Sequence, residues 1–376
     1  MSIIILIDGR EIAKKRGIGH FTRELLFHLN RLQPTLLFRL ICIAPAEQAA
    51  DYAADLPNIE FRRGPDRIGA ILWEQALIPA TALALNADFV LCPNNTFPLV
   101  TFGRTRRIIV LHDLIFLHWR RIAGPLRLRI GNLYRSLVTR WTRPDDLFLT
   151  VSRHSAAIIR RHLGLHATVY PNSCDHLRQA LERALPYSHP NRYMLHIGGD
   201  ASTKNTPRVV EAFLAARTQL GASAPDLIIL GTSTQFASKH LTRYRFEGVL
   251  TLHSVSDAVK CDLLVGALAV IFPSLQEGFG LPIIEAQAAG RMVITSNRRP
   301  MQDLVRPSDR LVDPLSTAEI TEAIVEAASD PCGYVRSPPS VRSATICVLE
   351  DFLRALTVSA SMRSEPIGER QCRARR

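Results

Sequence analysis

Lysine is nearly missing from a strongly basic chain. Of 46 basic residues only Lys14, Lys15, Lys204, Lys239 and Lys260 are lysines; the rest are arginines scattered along the sequence. Against 34 acidic residues they leave a net charge of +12. That balance favours an anionic partner, whether nucleic acid, a phosphorylated substrate or an acidic membrane surface, and charge alone does not choose among them. The seven cysteines form no C-x-x-C pair, which argues against a Cys-ligated metal and for reduced thiols that pack as small hydrophobes. No H-E-x-x-H is present and the spacing of the 12 histidines suggests no metal site. D-x-D, the arrangement that holds a divalent ion against a nucleotide-sugar diphosphate, is also missing, so neither a metal nor a bound cofactor is expected. No apolar run reaches the roughly 18 residues needed to span a membrane. At the start of the chain the apolar run precedes the basic residues, the reverse of a secretory signal, so a cytoplasmic chain is expected.

What is present is apolar and periodic. At 376 residues, 47% of them hydrophobic, the chain exceeds the roughly 250–300 at which one core stops growing, so about two domains are expected. Ile3-Ile4-Ile5-Leu6-Ile7 reads as a strand buried on both faces of a parallel sheet. Ile18, Phe21, Leu25, Leu29 and Leu32 then form one helical stripe. Strands near Leu37–Ile43, Asp88–Cys92, Arg107–Leu111 and Leu147–Val151 alternate with helical patterns over 69–86, 126–141 and 153–163, as in a parallel α/β sheet. Pro171, Pro186 and Pro190 mark a looser stretch. A second α/β series follows, with strands at 193–197, 226–230, 249–252, 269–272 and 292–295. The predicted organisation is an N-terminal domain over 1–172, a linker over 173–192, a second domain over 193–340, a helix over 341–358 and a disordered basic tail over 359–376.

The most informative stretch is AVIFPSLQEGFGLPIIEA, residues 269–286. An apolar strand ends at Pro273, a loop carries Glu277 and two glycines, and Pro282 suits the first turn of a helix. Free N–H groups at that helix start, backed by the helix dipole, would face a phosphate or sugar at the carboxyl edge of the sheet. Glu285 lies one turn in and can face the same cleft.

Glu277 and Glu285, seven residues apart within EGFGLPIIEA, resemble the E-x7-E signature of the retaining glycosyltransferases of family 4. GIGHFTRELL (17–26), PNNTFP (93–98), VLHDLIF (110–116), TVSRHSAAIIRRHLG (150–164), VYPN (169–172), GGDASTKN (198–205) and VITSNRRPMQDLV (293–305) resemble successive segments of that family in order. The resemblance covers about residues 3 to 330. It implies the GT-B fold, two Rossmann-like α/β domains facing each other across a cleft.

The resemblance also implies roles. Gly17 and Gly19 correspond to a glycine loop that leaves room for donor pyrophosphate and acceptor. Lys204 corresponds to the lysine that pairs with the pyrophosphate, with Gly199, loop amides and Asn205 beside it. An arginine that many members place near this lysine has no match in Gly199-Asp200-Ala201-Ser202-Thr203. Glu285 corresponds to the carboxylate on the ribose. Glu277, with Gly278, Phe279, Gly280 and Leu281, corresponds to the group on the donor sugar. His112 corresponds to a histidine facing the reacting sugar from the acceptor side, and Asn94 and Asn95, turn formers by type, to acceptor contacts. No segment after Asp330 matches.

The resemblance, which extends to bacterial polysaccharide mannosyltransferases, implies a retaining hexosyltransferase that moves mannose from GDP-mannose to a lipid-linked oligosaccharide in cell-surface polysaccharide synthesis, O-antigen or exopolysaccharide. Lys204, Glu277 and His112 are the catalytic candidates. Competing readings are a sugar-nucleotide epimerase of the same fold and a non-catalytic surface- or nucleic-acid-binding protein. A nucleic-acid partner is not expected, since no recognition motif accompanies the arginines. Trp119-Arg120-Arg121 and the stretch 126–141, with Arg127, Arg129, Arg135 and Arg140 beside Tyr134 and Trp141, suit peripheral attachment to an anionic inner membrane surface. Alternatively, Leu126, Ile130, Leu133 and Leu137 would pack that helix into the domain.

Overall fold

The computed structural model describes residues 2–14, 17–36, 38–118, 126–241, 244, 247–329 and 342–364. They form two parallel sheets. The first contains β1 (Ile3–Asp8), β2 (Phe38–Pro45), β3 (Glu60–Gly64), β4 (Phe89–Cys92), β5 (Arg106–Val110), β6 (Leu147–Thr150) and β7 (Ala167–Val169), in the order β3-β2-β1-β4-β5-β6-β7. The second contains β8 (Tyr193–Ile197), β9 (Asp226–Leu230), β10 (Val249–Leu252), β11 (Ala269–Phe272), β12 (Met292–Ser296) and β13 (Arg310–Val312), in the order β10-β9-β8-β11-β12-β13. Every pairing is parallel. These are two Rossmann-like domains, as the E-x7-E resemblance implies.

Strand pleating explains the continuous apolar runs. Successive side chains point to opposite faces, so Ile5 and Ile7 enter one core with Phe21 and Leu25, while Leu6 enters the other with Val90 and Ile109. The second sheet repeats the pattern, with Met194 and Ile271 on one side and Leu195 and Val270 on the other. Each such side chain contributes on the order of 2 kcal/mol by burial.

The sequence reading contains no counterpart to β3, β7 and β13. Each lies at a sheet edge and pairs on one side only. β3 reads Glu60-Phe61-Arg62-Arg63-Gly64, and charged edge strands discourage further pairing while weakening the apolar signal. The terminal helix corrects the other expectation. It runs Arg342–Ser364, so residues 359–364 are helical rather than tail, in keeping with the next helix breaker being Pro366. Leu349, Leu353 and Leu356 return this helix to the core of the first domain.

Both sheets reverse strand order at one point, between β1 and β4 and between β8 and β11. Ligands of open α/β sheets sit beyond the carboxyl ends of the strands at such a reversal. The loops after β4, β8 and β11 carry Asn94, Gly199 and Glu277, and Gly17 starts the helix that follows β1.

Candidate active site

On the second domain, β8 ends at Ile197 and a short turn, Ser202–Lys204, precedes the helix Thr206–Leu220. A Cβ on Gly199 would only touch the Lys204 side chain, whereas one on Gly198 would lie 2.9 Å from both His196 and Thr206, so Gly198 is the position that needs glycine. The Lys204 ammonium lies 2.8 Å from Glu277 Oε1 and 4.9 Å from the centre of the Phe272 ring. Ser274 Oγ donates to the same Glu277 oxygen at 2.6 Å. Lys204 and Glu277, 73 positions apart, are therefore in direct contact at the switch point.

Asn205 serves the turn. It adopts φ +60°, its amide nitrogen donates to the carbonyls of Pro273 and Pro314 at 3.1 and 2.7 Å, and its Oδ1 accepts from Arg208. The side chain expected beside the pyrophosphate is thus committed to backbone and to Arg208.

Gly280, at φ +112°, opens the helix Leu281–Ala288, with Pro282 in its first turn. Glu285 is almost fully buried, and its Oε1 accepts from Lys260 at 2.6 Å. Sequence reasoning missed Lys260, on the helix Asp257–Gly266. The available signal was its rarity, a lysine in a chain that otherwise uses arginine.

On the first domain, His112 follows β5. Its N–H donates to Asn95 Oδ1 at 2.6 Å and its Nε2 lies 2.8 Å from the Pro93 carbonyl. A carbonyl only accepts, so Nε2 carries the proton and Nδ1 the lone pair. Burial pulls the ring down to about 4, against the opposing pull of the Pro93 carbonyl, so it is neutral at physiological pH. Phe21 packs edge-on against it, 4.6 Å between ring centres. Asn95, at φ +59°, holds the His112 backbone. Asn94 donates to Asp8 Oδ2 at 3.0 Å.

Asp8 anchors a polar network absent from the sequence reading. It accepts from Trp73 Nε1 at 2.8 Å. Arg10 reaches Glu74 at 3.2 Å, and Glu74 also accepts from Tyr134 at 2.6 Å and, through a short contact, from Thr96. Tyr134, read from the sequence as an aromatic facing the membrane surface, instead donates to Glu74; Asp8, Arg10, Trp73, Glu74 and Tyr134 are brought together by the fold.

Gly17 and Gly19 occupy the first turn of the helix Gly17–Leu32 rather than a loop. A Cβ on Gly19 would collide with the Lys14 carbonyl, while one on Gly17 would sit 4.0 Å from Leu281 Cδ1. The starts of two helices, one from each domain, are therefore neighbours.

A backbone contact brings the halves together. The Gly278 carbonyl accepts from Ser152 Oγ at 2.8 Å and Ser155 Oγ at 3.1 Å, and a Cβ on Gly278 would stand 2.6 Å from the His112 carbonyl oxygen. Phe279 and Ile284 join the core of the first domain. Asp113, also missed, is half-buried in this junction; desolvation raises its carboxyl, the Ile115 N–H opposes the rise, and Glu277 nearby adds to it. A cavity lined by Asp113, His154, Ser155, Gln276 and Glu277 opens there.

Of the basic stretch, Trp119–Arg121 and the side chain of Arg127 lie outside the described residues. In the remainder of Leu126–Val138 and the turn to Trp141, Arg129, Ile130, Leu137, Arg140 and Trp141 are exposed. Ile130 and Leu137 thus do not pack inward. No helix among the described residues is long and apolar enough to cross a membrane.

Residues 191–330 match the family model described as "Glycosyl transferases group 1". The serotype-specific mannosyltransferase WbdA of Escherichia coli is 22% identical over 348 residues, covering 87% of this chain. The chain spans 40% of that relative's length. Anabaena HepE, solved with UDP and glucose, superposes with a TM-score of 0.66 at 16% identity, over 95% of this chain and 100% of the other. Sucrose-phosphate synthase from Thermosynechococcus elongatus gives 0.64 at 16% identity, over 100% of both chains. The two-sheet architecture is thus the GT-B fold, and its second domain is similar over residues 191–330 to the group 1 glycosyl transferases.

Proposed function

We propose that this chain is a retaining glycosyltransferase that moves mannose from GDP-mannose to a lipid-linked oligosaccharide in cell-surface polysaccharide synthesis. One observation carries the reading: Lys204 and Glu277 meet at the switch point of the second domain, and the Gly278 backbone presses that loop against His112 of the first. The donor sugar lies between them. Lys204 and the amides at the start of Leu281–Ala288 take the charge that grows on the departing diphosphate, and Glu285 takes the ribose hydroxyls. The bond between C1 and the β-phosphate oxygen breaks as an acceptor oxygen bonds to C1 on the same face, and the acceptor proton passes to the departing phosphate. Glu277 orients the donor hydroxyls. Neutral His112 offers a lone pair to a sugar hydroxyl and is not an acid, since its ring is pulled down to about 4. Lys204 supplies the positive charge at the diphosphate, so the reading needs no divalent ion there.

Mannose is supported by the mannosyltransferase relative and a nucleotide-sugar donor by the UDP complex of HepE. The exposed Arg129, Ile130, Leu137, Arg140 and Trp141 support attachment at an anionic inner membrane surface, where a lipid-linked acceptor resides. Incubation with radiolabelled sugar nucleotides and extracted lipid acceptors tests the proposal. A lengthened glycan made from GDP-mannose is expected. An altered sugar nucleotide with no transfer would instead indicate an epimerase, and no turnover of any donor a binding protein.

A further inference from the structure

Glu24 and His28 are one turn apart on the helix Gly17–Leu32, so they share a face. Asp175 comes from the segment after β7, and the fold carries it to that face. His28 Nε2 lies 3.8 Å from Glu24 Oε2 and 3.6 Å from Asp175 Oδ2, and one ligand atom from each residue falls within 4.8 Å of the others. His28 is 1% exposed. Its Nδ1 sits 2.6 Å from Tyr170 Oη, while its Nε2, also buried, makes no hydrogen bond. A buried imidazole nitrogen left that way is costly unless something else occupies its lone pair.

We propose that Glu24, His28 and Asp175 hold a divalent transition-metal ion of the zinc type, with water completing its coordination. An ion about 2.0–2.2 Å from each ligand in tetrahedral geometry sets neighbouring ligand atoms roughly 3.4 Å apart, close to the 3.6 and 3.8 Å found. One imidazole with two carboxylates suits zinc better than calcium or magnesium, which prefer oxygen alone. Coordination through Nε2 leaves the proton on Nδ1, where it is donated to Tyr170 Oη; that outer contact fixes the ring. The ion would clip the segment between the sheets to the first helix of the chain, a structural task that does not depend on the transfer chemistry proposed above. Spacing along the sequence did not reveal the group, because Asp175 is 147 positions beyond His28.

The test uses the full chain, stripped with a chelator and then titrated with zinc chloride by calorimetry and with cobalt(II) by absorption. The expected result is one ion per chain, a tetrahedral cobalt spectrum and a raised thermal midpoint. His28→Gln and Asp175→Asn should lose all three. Tyr170→Phe, which removes no ligand, should weaken binding about 10–100-fold. No uptake by the unaltered chain, or uptake unchanged in both ligand variants, would overturn the proposal; the first outcome fits three side chains that meet without an ion, the second zinc held elsewhere on the surface. Circular dichroism checks folding. If His28→Gln does not fold, Asp175→Asn decides alone, because its carboxylate is partly exposed.

Discussion

Lys204 and Glu277 illustrate how one contact sets the cost of a substitution. In the proposed mechanism, removing the ammonium would withdraw charge from the departing diphosphate, and it also leaves the Glu277 carboxylate, 2.8 Å away, unneutralised. Charge on the diphosphate grows toward the transition state, and an interaction realised there governs kcat. Lys204→Ala should therefore lower kcat by about 100-fold or more while raising KM far less; steady-state kinetics decides, and a raised KM with unchanged kcat would remove Lys204 from this role. His112 and His196 make a prediction about pH. Burial pulls each ring down to about 4, below the roughly 6.5 of an unfolded histidine. Between those values the unfolded chain binds more protons than the folded one, so stability falls as pH drops from about 6.5 toward 4 and the loss levels off below. Each ring accounts for on the order of 3 kcal/mol over the full window. Denaturant midpoints measured at several pH values should decline across that range, and His112→Gln should flatten the decline.

At the scale of elements, the loop 273–280 ties the proposed site together, and Gly278 is its tightest point. A Cβ there would stand 2.6 Å from the His112 carbonyl oxygen, so Gly278→Ala must push the loop and the end of β5 apart. A displacement of about 1 Å at reacting groups costs about 100-fold in rate. Transfer should fall by that order while both sheets stay folded, as circular dichroism would report; full activity in Gly278→Ala would mean that the contact does not position Glu277. The strands feeding this junction were legible in the sequence because burial on both faces demands unbroken apolar runs, whereas β3 was hidden by its charged residues and β7 and β13 by being only three residues long. Among the site residues, EGFGLPIIEA displayed Glu277 and Glu285 as a local motif. Asp113 and the Asp8–Glu74 network carried no local signal, and Lys260 only its rarity as a lysine, since each gains meaning from a partner distant in sequence.

At the scale of the whole molecule, the net charge of +12 and the exposed Arg129, Ile130, Leu137, Arg140 and Trp141 predict peripheral, salt-sensitive binding to anionic membranes. Each arginine near the leaflet contributes about 1 kcal/mol, screened within a Debye length of about 8 Å at physiological salt. Liposome flotation should recover the protein with anionic but not neutral lipids. Raising the ionic strength should release most of it, and Trp141→Ala the fraction that salt leaves behind. Equal recovery on neutral lipid would exclude this mode of attachment. The sequence by itself determined the presence of two α/β domains, their parallel character and the identity of the donor-side motif, because hydrophobic periodicity and loop chemistry are local properties that one stretch of chain displays unaided. Tertiary structure alone decided that Lys204 meets Glu277, that Lys260 neutralises Glu285, and that Glu24, His28 and Asp175 converge. Those contacts join residues up to 151 positions apart, across strand orders that reverse in space while the chain runs on, and no spacing rule within one element reaches that far.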